Sequence, residues 1–404
     1  VDVPASVAVT DVLVVGAGAA GIFVADRLEA QQLRCLVVDL MGKRSFATVR
    51  NLGWLQSGAY EVGRAADGAA AAISCRTGFD ELSRRFPKQL RQAPCHFLFD
   101  RTADRDRFVA DCQRILGTDA ATPRTPADAG LPMSLPARDR PFEAAASCID
   151  VAFDAHAIIA QLTHEIGDRL YGVTDLQELA LQQITTGEWL VSCGEVQVIA
   201  KAVVFALGAS AKFHPELVQR GLAPQNRLFR FVVMNVEGHL CDGIVAAPYV
   251  KLGPMLVPHD SHEGPRTVIY TAYNVEVVVD AAMLARTEPR EQQRLRERTD
   301  EGLRLYLPDI AARLRGRRRR WHVCHRLRTE GAPLVVSGAG ANAGLFSVYP
   351  AYFTSAPTAA DLLVTELGTY LGLAQAPVPL AWSRGLSPLD VQEFRKELEP
   401  YDTR

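Results

Sequence analysis

The residues best suited to chemistry lie near the start of the chain: Gly16-Ala17-Gly18-Ala19-Ala20-Gly21, followed by Asp39 eighteen positions after the last glycine. This spacing is G-x-G-x-x-G. The first glycine permits a tight turn, the second lets backbone approach a pyrophosphate, and the third allows a helix to pack close to a strand. The motif follows the apolar run Val12–Val15 and opens an amphipathic stretch, Ala19 to about Ala30, with Ile22, Leu28 and Leu33 on the inward side. Ala19 and Ala20 then lie at a helix N-terminus, whose unpaired amides and positive dipole end attract phosphate. Asp39 closes a second apolar strand, Cys35–Leu40, where a carboxylate accepts the ribose hydroxyls and disfavours a 2′-phosphate. The stretch therefore reads as a β-α-β dinucleotide site, compatible with both NAD and FAD.

Later segments separate the two. The loop "RSFATVRNLGWLQSG" resembles the flavin-contact loop of the D-amino-acid-oxidase-like FAD oxidoreductases, a superfamily that includes glycine oxidase, sarcosine oxidase and the glycerol-3-phosphate and L-2-hydroxyglutarate dehydrogenases. The resemblance implies that Arg44, Thr48, Arg50, Asn51 and Gly53 run along the pyrophosphate and the flavin edge. "AVVFALGAS" is similar to the family strand whose end passes the dinucleotide, which places Ala206 and Gly208 beside the cofactor. "FSVYPAYFTSAPTAADLL" resembles the closing turn of the glycerol-phosphate and hydroxyglutarate branch through Pro350, Phe353, Thr354, Ser355 and Pro357. A helix beginning at Thr354 presents positive amides where a reduced flavin gains negative charge; capping of the helix is the alternative role for Thr354 and Ser355. Two positions depart from that branch: Ala351 replaces a glycine and Tyr352 replaces a lysine.

The resemblance implies FAD as cofactor and oxidation of a C–H bond next to an amine or hydroxyl of a small-molecule substrate, with oxygen or another electron acceptor downstream. The base candidates are His322 and His325 in "RWHVCHRLRTEGAPL", each also readable as a structural strand residue. Arg326 or Arg328 could grip a substrate carboxylate through a paired fork of hydrogen bonds, or form an interdomain ion pair. Tyr352 is an anchoring phenol or a packing residue. A flavin monooxygenase using NAD(P)H and a non-catalytic FAD-binding subunit stand as alternative functions. "VVSGAGANAG" (335–344) lacks the full fingerprint and a following helix, which argues against a second nicotinamide site.

These residues need a large scaffold. With 404 residues, 48% of them hydrophobic, the chain can bury two cores. A net charge of −2 points to neither nucleic acid nor a membrane surface as partner. No apolar run reaches the roughly 18 residues of a transmembrane helix, and the first residues lack a signal-peptide pattern. Eight scattered cysteines without C-x-x-C spacing suggest reduced thiols in a cytoplasm and no metal site. The arginine run 313–320 reads as a solvated loop or, alternatively, a docking patch for an anionic substrate.

The expected fold is α/β: a Rossmann-like FAD-binding domain with an inserted, mostly antiparallel α+β substrate domain. The first comprises residues 1–75, 142–214 and 326–404, the second 76–141 and 215–325. Helices are expected over 61–92, 103–116, 155–170 and 288–314, a surface loop over 118–141, and period-two strands over 228–280.

Overall fold

The computed structural model describes residues 7–40, 52–62, 68–91, 93–129, 142–173, 179–185, 187–193, 196–261, 264–285, 289–327 and 332–373. They pack as two units, one drawn from Val1–Thr48, His156–Arg227 and Pro333–Tyr401, the other from Val49–Ala155 and Leu228–Ala332.

The first unit is built on an eight-stranded sheet. Its parallel core runs Leu170–Val173, Cys35–Leu40, Ala8–Val15, Val196–Phe205. The upper part of the last strand continues parallel onto Leu345–Tyr349, while its lower part pairs antiparallel with Trp189–Cys193. Val12, Leu13, Val14 and Val15 are wholly buried, as a strand covered on both faces demands. Helices Ala19–Ala30 and Ala356–Tyr370 lie side by side. Phe23 meets Phe353 edge-on at 6.2 Å, and Arg27 pairs with Asp361 at 2.6 Å. Both helices follow parallel strands, so both begin at the carboxyl edge of the sheet.

The second unit carries a nine-stranded sheet. Leu228–Glu237 is its hub, paired with Arg319–Leu327 on one side and with Gly264–Thr271 and Val275–Val278 on the other, all antiparallel. The sheet continues through Pro254–Ser261, Ile244–Ala246, Cys95–Phe99, Ala144–Cys148 and Ala121–Arg124. Alternation along these strands divides the side chains between two faces. Met234, Val236, Leu256 and Ile269 join Leu303, Leu307, Ile310 and Leu314 in one core, under helices Pro289–Tyr306 and Pro308–Arg313. Val233, Val268 and Cys324 form a smaller cluster on the opposite face with Leu52 and Phe231.

Several expectations change. The helix anticipated over 288–314 is two helices, because Pro308 has no amide to continue the ladder and instead opens a new first turn. Residues 61–92 give the helices Ala59–Val62 and Gly68–Arg85, followed by a 3₁₀ turn at Pro87–Gln89 and a short strand at Leu90–Arg91. The segment read as loop over 118–141 contains the strand Ala121–Arg124 and a 3₁₀ turn at Pro126–Ala129. Packing also groups 52–62, 68–75, 142–155 and 326–327 with the second unit and 215–227 with the first, unlike the limits drawn from sequence. The arginine run is partly committed internally. Arg313 donates to the Leu240 carbonyl at 2.8 Å, Arg317 to that of Glu237 at 2.8 Å, and Arg319 pairs with Asp300 at 3.2 Å. None of the eight cysteines is in a disulfide, and all are buried. No helix among the described residues is long and apolar enough to cross a membrane.

Candidate functional site

The dinucleotide fingerprint sits where four parallel strands end. Val15 lies level with Val38 on one side and Phe205 on the other, and Phe205 is level with Ser347. Gly16, Asp39 and Ala206–Gly208 therefore share one carboxyl edge, and the 345–349 strand emerges there towards Phe353 and Thr354. Two backbone bonds stitch the turn, Gly16 N–H to the Val38 carbonyl at 2.7 Å and Ala206 N–H to that of Val15 at 2.8 Å.

The turn tolerates only hydrogen as a side chain at its crossing points. Gly16 has φ +108°, and a Cβ there would stand 2.6 Å from the Ala206 oxygen. A Cβ on Gly21 would stand 1.8 Å from the Gly16 oxygen and 3.2 Å from the Ala206 Cβ. Gly18 is the N-cap, and the ladder of the helix begins with Ile22 N–H to the Gly18 carbonyl at 3.0 Å. The first amides of the helix precede that ladder and lie at its positive end. No acidic residue occupies the first turn of this helix or of Ala356–Tyr370, so neither positive end carries a carboxylate from its own first turn. Asp39 is buried at the end of its strand. This close-packed turn, two helix starts without local carboxylates and a carboxylate at the next strand end together fit an ADP moiety.

The last helix starts slightly later than expected. Ser355 holds the N-cap position, yet its hydroxyl makes no cap bond. Instead it donates to the Tyr352 carbonyl at 3.2 Å and accepts from the Tyr352 amide at 3.1 Å. The turn 352–355 is thus tied to itself, with Thr354 buried and Tyr352 half-buried. Gly208 opens a 3₁₀ turn at φ +55° with open space beside it.

In the second unit, Gly53 lies in a segment held from several directions. The Gly53 carbonyl accepts from Phe153 N–H at 2.8 Å, and the Leu52 carbonyl accepts from His259 Nε2 at 2.8 Å. Asp150 accepts from Trp54 Nε1 and from Ser57 N–H, both at 2.8 Å, and from the Ser57 hydroxyl. Burial raises the Asp150 carboxyl to about 6 against these three donors. Burial also lowers His259 to about 4, against the Leu52 bond, so its ring is neutral at ordinary pH. Sequence reading did not find His259 or Asp150. Neither belongs to a motif, and only strand pairing brings them to this loop.

The two histidines proposed as bases are separated. Strand pairing sets His322 opposite Val233 and Cys324 opposite Phe231, placing both on the face with Val268 and Leu52. His325 lies opposite Arg230, whose guanidinium joins Glu276 at 2.8 Å; Glu276 also binds Arg294 of the covering helix. His322 and His325 therefore point to opposite faces and cannot serve one cavity together. Arg326 falls on the His322 face by the same alternation, opposite Phe229. Arg44, Thr48, Arg50, Asn51 and Arg328 lie outside the described residues.

A Rossmann-like unit with this turn, carried in one chain with a largely antiparallel sheet-and-helix unit, is the architecture of a dinucleotide-binding class. The model of the DAO family, FAD dependent oxidoreductases, matches residues 11–366, and the chain belongs to that family, whose cofactor is FAD. No curated protein matches the sequence. Among solved structures, the fold is similar to glycine oxidase from Geobacillus kaustophilus (TM-score 0.65, 16% identity, covering 94% of this chain and 100% of that one). It is also similar to L-α-glycerophosphate oxidase from Mycoplasma pneumoniae with FAD bound (TM-score 0.68, 14% identity, 93% and 97% covered). A third is L-amino acid deaminase from Proteus vulgaris (TM-score 0.64, 16% identity, 97% of each chain). At these identities the likeness concerns the fold.

Proposed function

We propose that this FAD-dependent oxidoreductase oxidises a C–H bond adjacent to an amine or hydroxyl of a small substrate. The first unit binds the dinucleotide, and within the second the sheet face that carries Phe231 and His322 binds the substrate. FAD, when bound, supplies the two-electron acceptor for the hydride. The amides at Gly18–Gly21 hold the pyrophosphate, Asp39 accepts from the ribose hydroxyls, and the Phe353–Ser355 turn presents the positive start of the last helix to developing negative charge. Phe231 and Tyr270, edge-on at 5.2 Å, form part of an apolar wall that excludes water from the substrate. On that face His322, rather than His325, takes the proton from the substrate amine or hydroxyl. Arg326 is a cation on the same face suited to a substrate carboxylate. What carries this reading is the glycine turn at the carboxyl edge, in a chain whose family match spans 11–366.

The test is anaerobic mixing of the FAD-loaded protein with a panel of amines, amino acids and 2-hydroxy acids while flavin absorbance is followed. Bleaching by at least one class is the expected result. An oxidised spectrum that survives the whole panel overturns the proposal.

A further inference from the structure

The strand Arg319–Leu327 lies against Leu228–Glu237 over its whole length, so alternate residues of it can be assigned to the face that carries Phe231. Arg320 stands opposite Asn235, His322 opposite Val233, Cys324 opposite Phe231 and Arg326 opposite Phe229. Along one strand this face therefore reads cation, imidazole, thiol, cation. Two neighbouring arginines are excluded from it. Arg319 projects to the helix-covered face and pairs with Asp300 at 3.2 Å, as Arg230 does with Glu276 at 2.8 Å.

Spacing gives the two cations of the face different roles. Successive residues on one face of a strand are about 6.8 Å apart, so Arg320 is one step from His322 and Arg326 is two. An amine or hydroxyl and a carboxylate borne by the same carbon need a base and a cation close together, which Arg320 and His322 provide. Asn235, half-buried across the ladder from Arg320, adds a carboxamide donor at the same level. Glu237, the next residue of that strand on this face, stands opposite Arg266. Between His322 and Arg326 the floor is Cys324, 3% exposed, and Phe231, whose ring meets Tyr270 edge-on at 5.2 Å. Val233 and Val268 pack beside Cys324. This middle ground is apolar and suits methylene groups. Arg320 and Arg326 are both half-buried, with about 20 Å between their Cα atoms. Two long side chains leaning inward shorten that span to the reach of a short diacid. Burial and the Glu61 carboxylate push the Cys75 thiol up while the Arg326 charge opposes them, so the field of Arg326 acts among buried groups rather than in screening water.

We propose that this face takes an α-amino or α-hydroxy dicarboxylic acid. Arg320 and Asn235 grip the carboxylate beside the oxidised carbon, His322 receives the proton of the amine or hydroxyl, and Arg326 holds the distal carboxylate. The α-hydrogen leaves with its electron pair to FAD, giving the imino or oxo diacid. The inference rests on the reading of this face as the substrate site, and the experiment separates the two. The full-length, FAD-loaded protein is mixed anaerobically with matched pairs: aspartate against 2-aminobutyrate, glutamate against norvaline, and 2-hydroxyglutarate against 2-hydroxyvalerate, each as both enantiomers. Flavin bleaching at low substrate concentration is compared within each pair. The diacid of at least one pair should be faster by about 10- to 100-fold, the gain from one charge-assisted contact. Arg326→Met should bring that ratio to about one, whereas Arg320→Met should slow both members and keep the ratio. Binding is read separately by calorimetry: glutarate, which has no amine or hydroxyl to oxidise, should bind more tightly than valerate by a similar factor. Equal bleaching by diacids and monoacids overturns the proposal, as does a ratio that survives in Arg326→Met. If that variant does not fold, the wild-type affinities for glutarate and valerate decide, and equal values overturn the proposal. Should every pair fail while a simple amine bleaches the flavin, this inference falls alone. Should simple amines and hydroxy acids fail too, the reading of the face falls with it.

Discussion

The cofactor edge of the first unit and the Phe231 face of the second are built in opposite ways. The edge is made mostly from contiguous residues: six positions from Gly16 to Gly21, with a strand before and a helix after, already contain the turn, the amides and the close packing. The face is made from single residues on four strands. His259, Val268, Phe231 and His322 come from segments that are far apart in sequence and meet only through pairing. A nucleotide is recognised through backbone, whose geometry a local motif can specify. A small substrate is recognised through side chains, which any fold can replace one at a time.

This contrast can be broken or sharpened by substitution. The largest effect belongs to the edge. Gly21→Val forces a side chain into the Gly16 carbonyl, so the first unit should lose about 3 kcal/mol or more and the protein should retain no FAD. Thermal melts and flavin content after desalting check this, and full occupancy would refute the assigned turn. On the face, His322→Asn should slow anaerobic flavin reduction by about 100-fold, whereas His325→Asn should leave it within about twofold, because its side chain belongs to the helix-covered side. Stopped-flow traces decide; equal slowing by both would contradict the separation of faces.

A third prediction concerns pH. His259 has its pKa lowered from 6.5 to about 4, so the unfolded chain binds the extra proton and stability falls as pH drops through that window. Asp150 has its pKa raised from 3.8 to about 6, so the folded chain binds the extra proton and stability falls as pH rises. The two slopes oppose one another over nearly the same range. Wild type should therefore show little net dependence from this pair. Asp150→Asn should gain stability with rising pH between about 4 and 6.5, and His259→Gln should lose it between about 4 and 6, each by about 3 kcal/mol across the window. Urea titrations at several pH values test both signs. The smallest effect is at the surface: Asp361→Ala removes one partner of Arg27, which also pairs with Asp26, and should cost only about 0.5 kcal/mol in the same assay.

Much of the first unit is legible in the sequence. The apolar runs Val12–Val15 and Cys35–Val38, the glycine spacing and Asp39 all lie where a parallel β-α-β unit needs them, and the late return of 345–370 was visible as strand, turn and helix. Less of the second unit could be read. The strands Trp54–Leu55 and Leu90–Arg91 have two residues each and Val151–Phe153 between them has three, all too short to show a period. The break at Pro308 was signalled by proline, but the charged residues around it kept helical spacing and hid the stop.

Sequence alone determined the close-packed glycine turn and the family, because local backbone geometry is dictated by which residues can be glycine and which must be apolar. Tertiary structure decided what sequence spacing left open for His322 and His325, since strand pairing and alternation assign each side chain its face. It also decided that His259 and Asp150, unremarkable in the linear chain, are buried against the Leu52–Ser57 segment. Burial then changes their protonation, a property that arises only when distant strands remove water from around them.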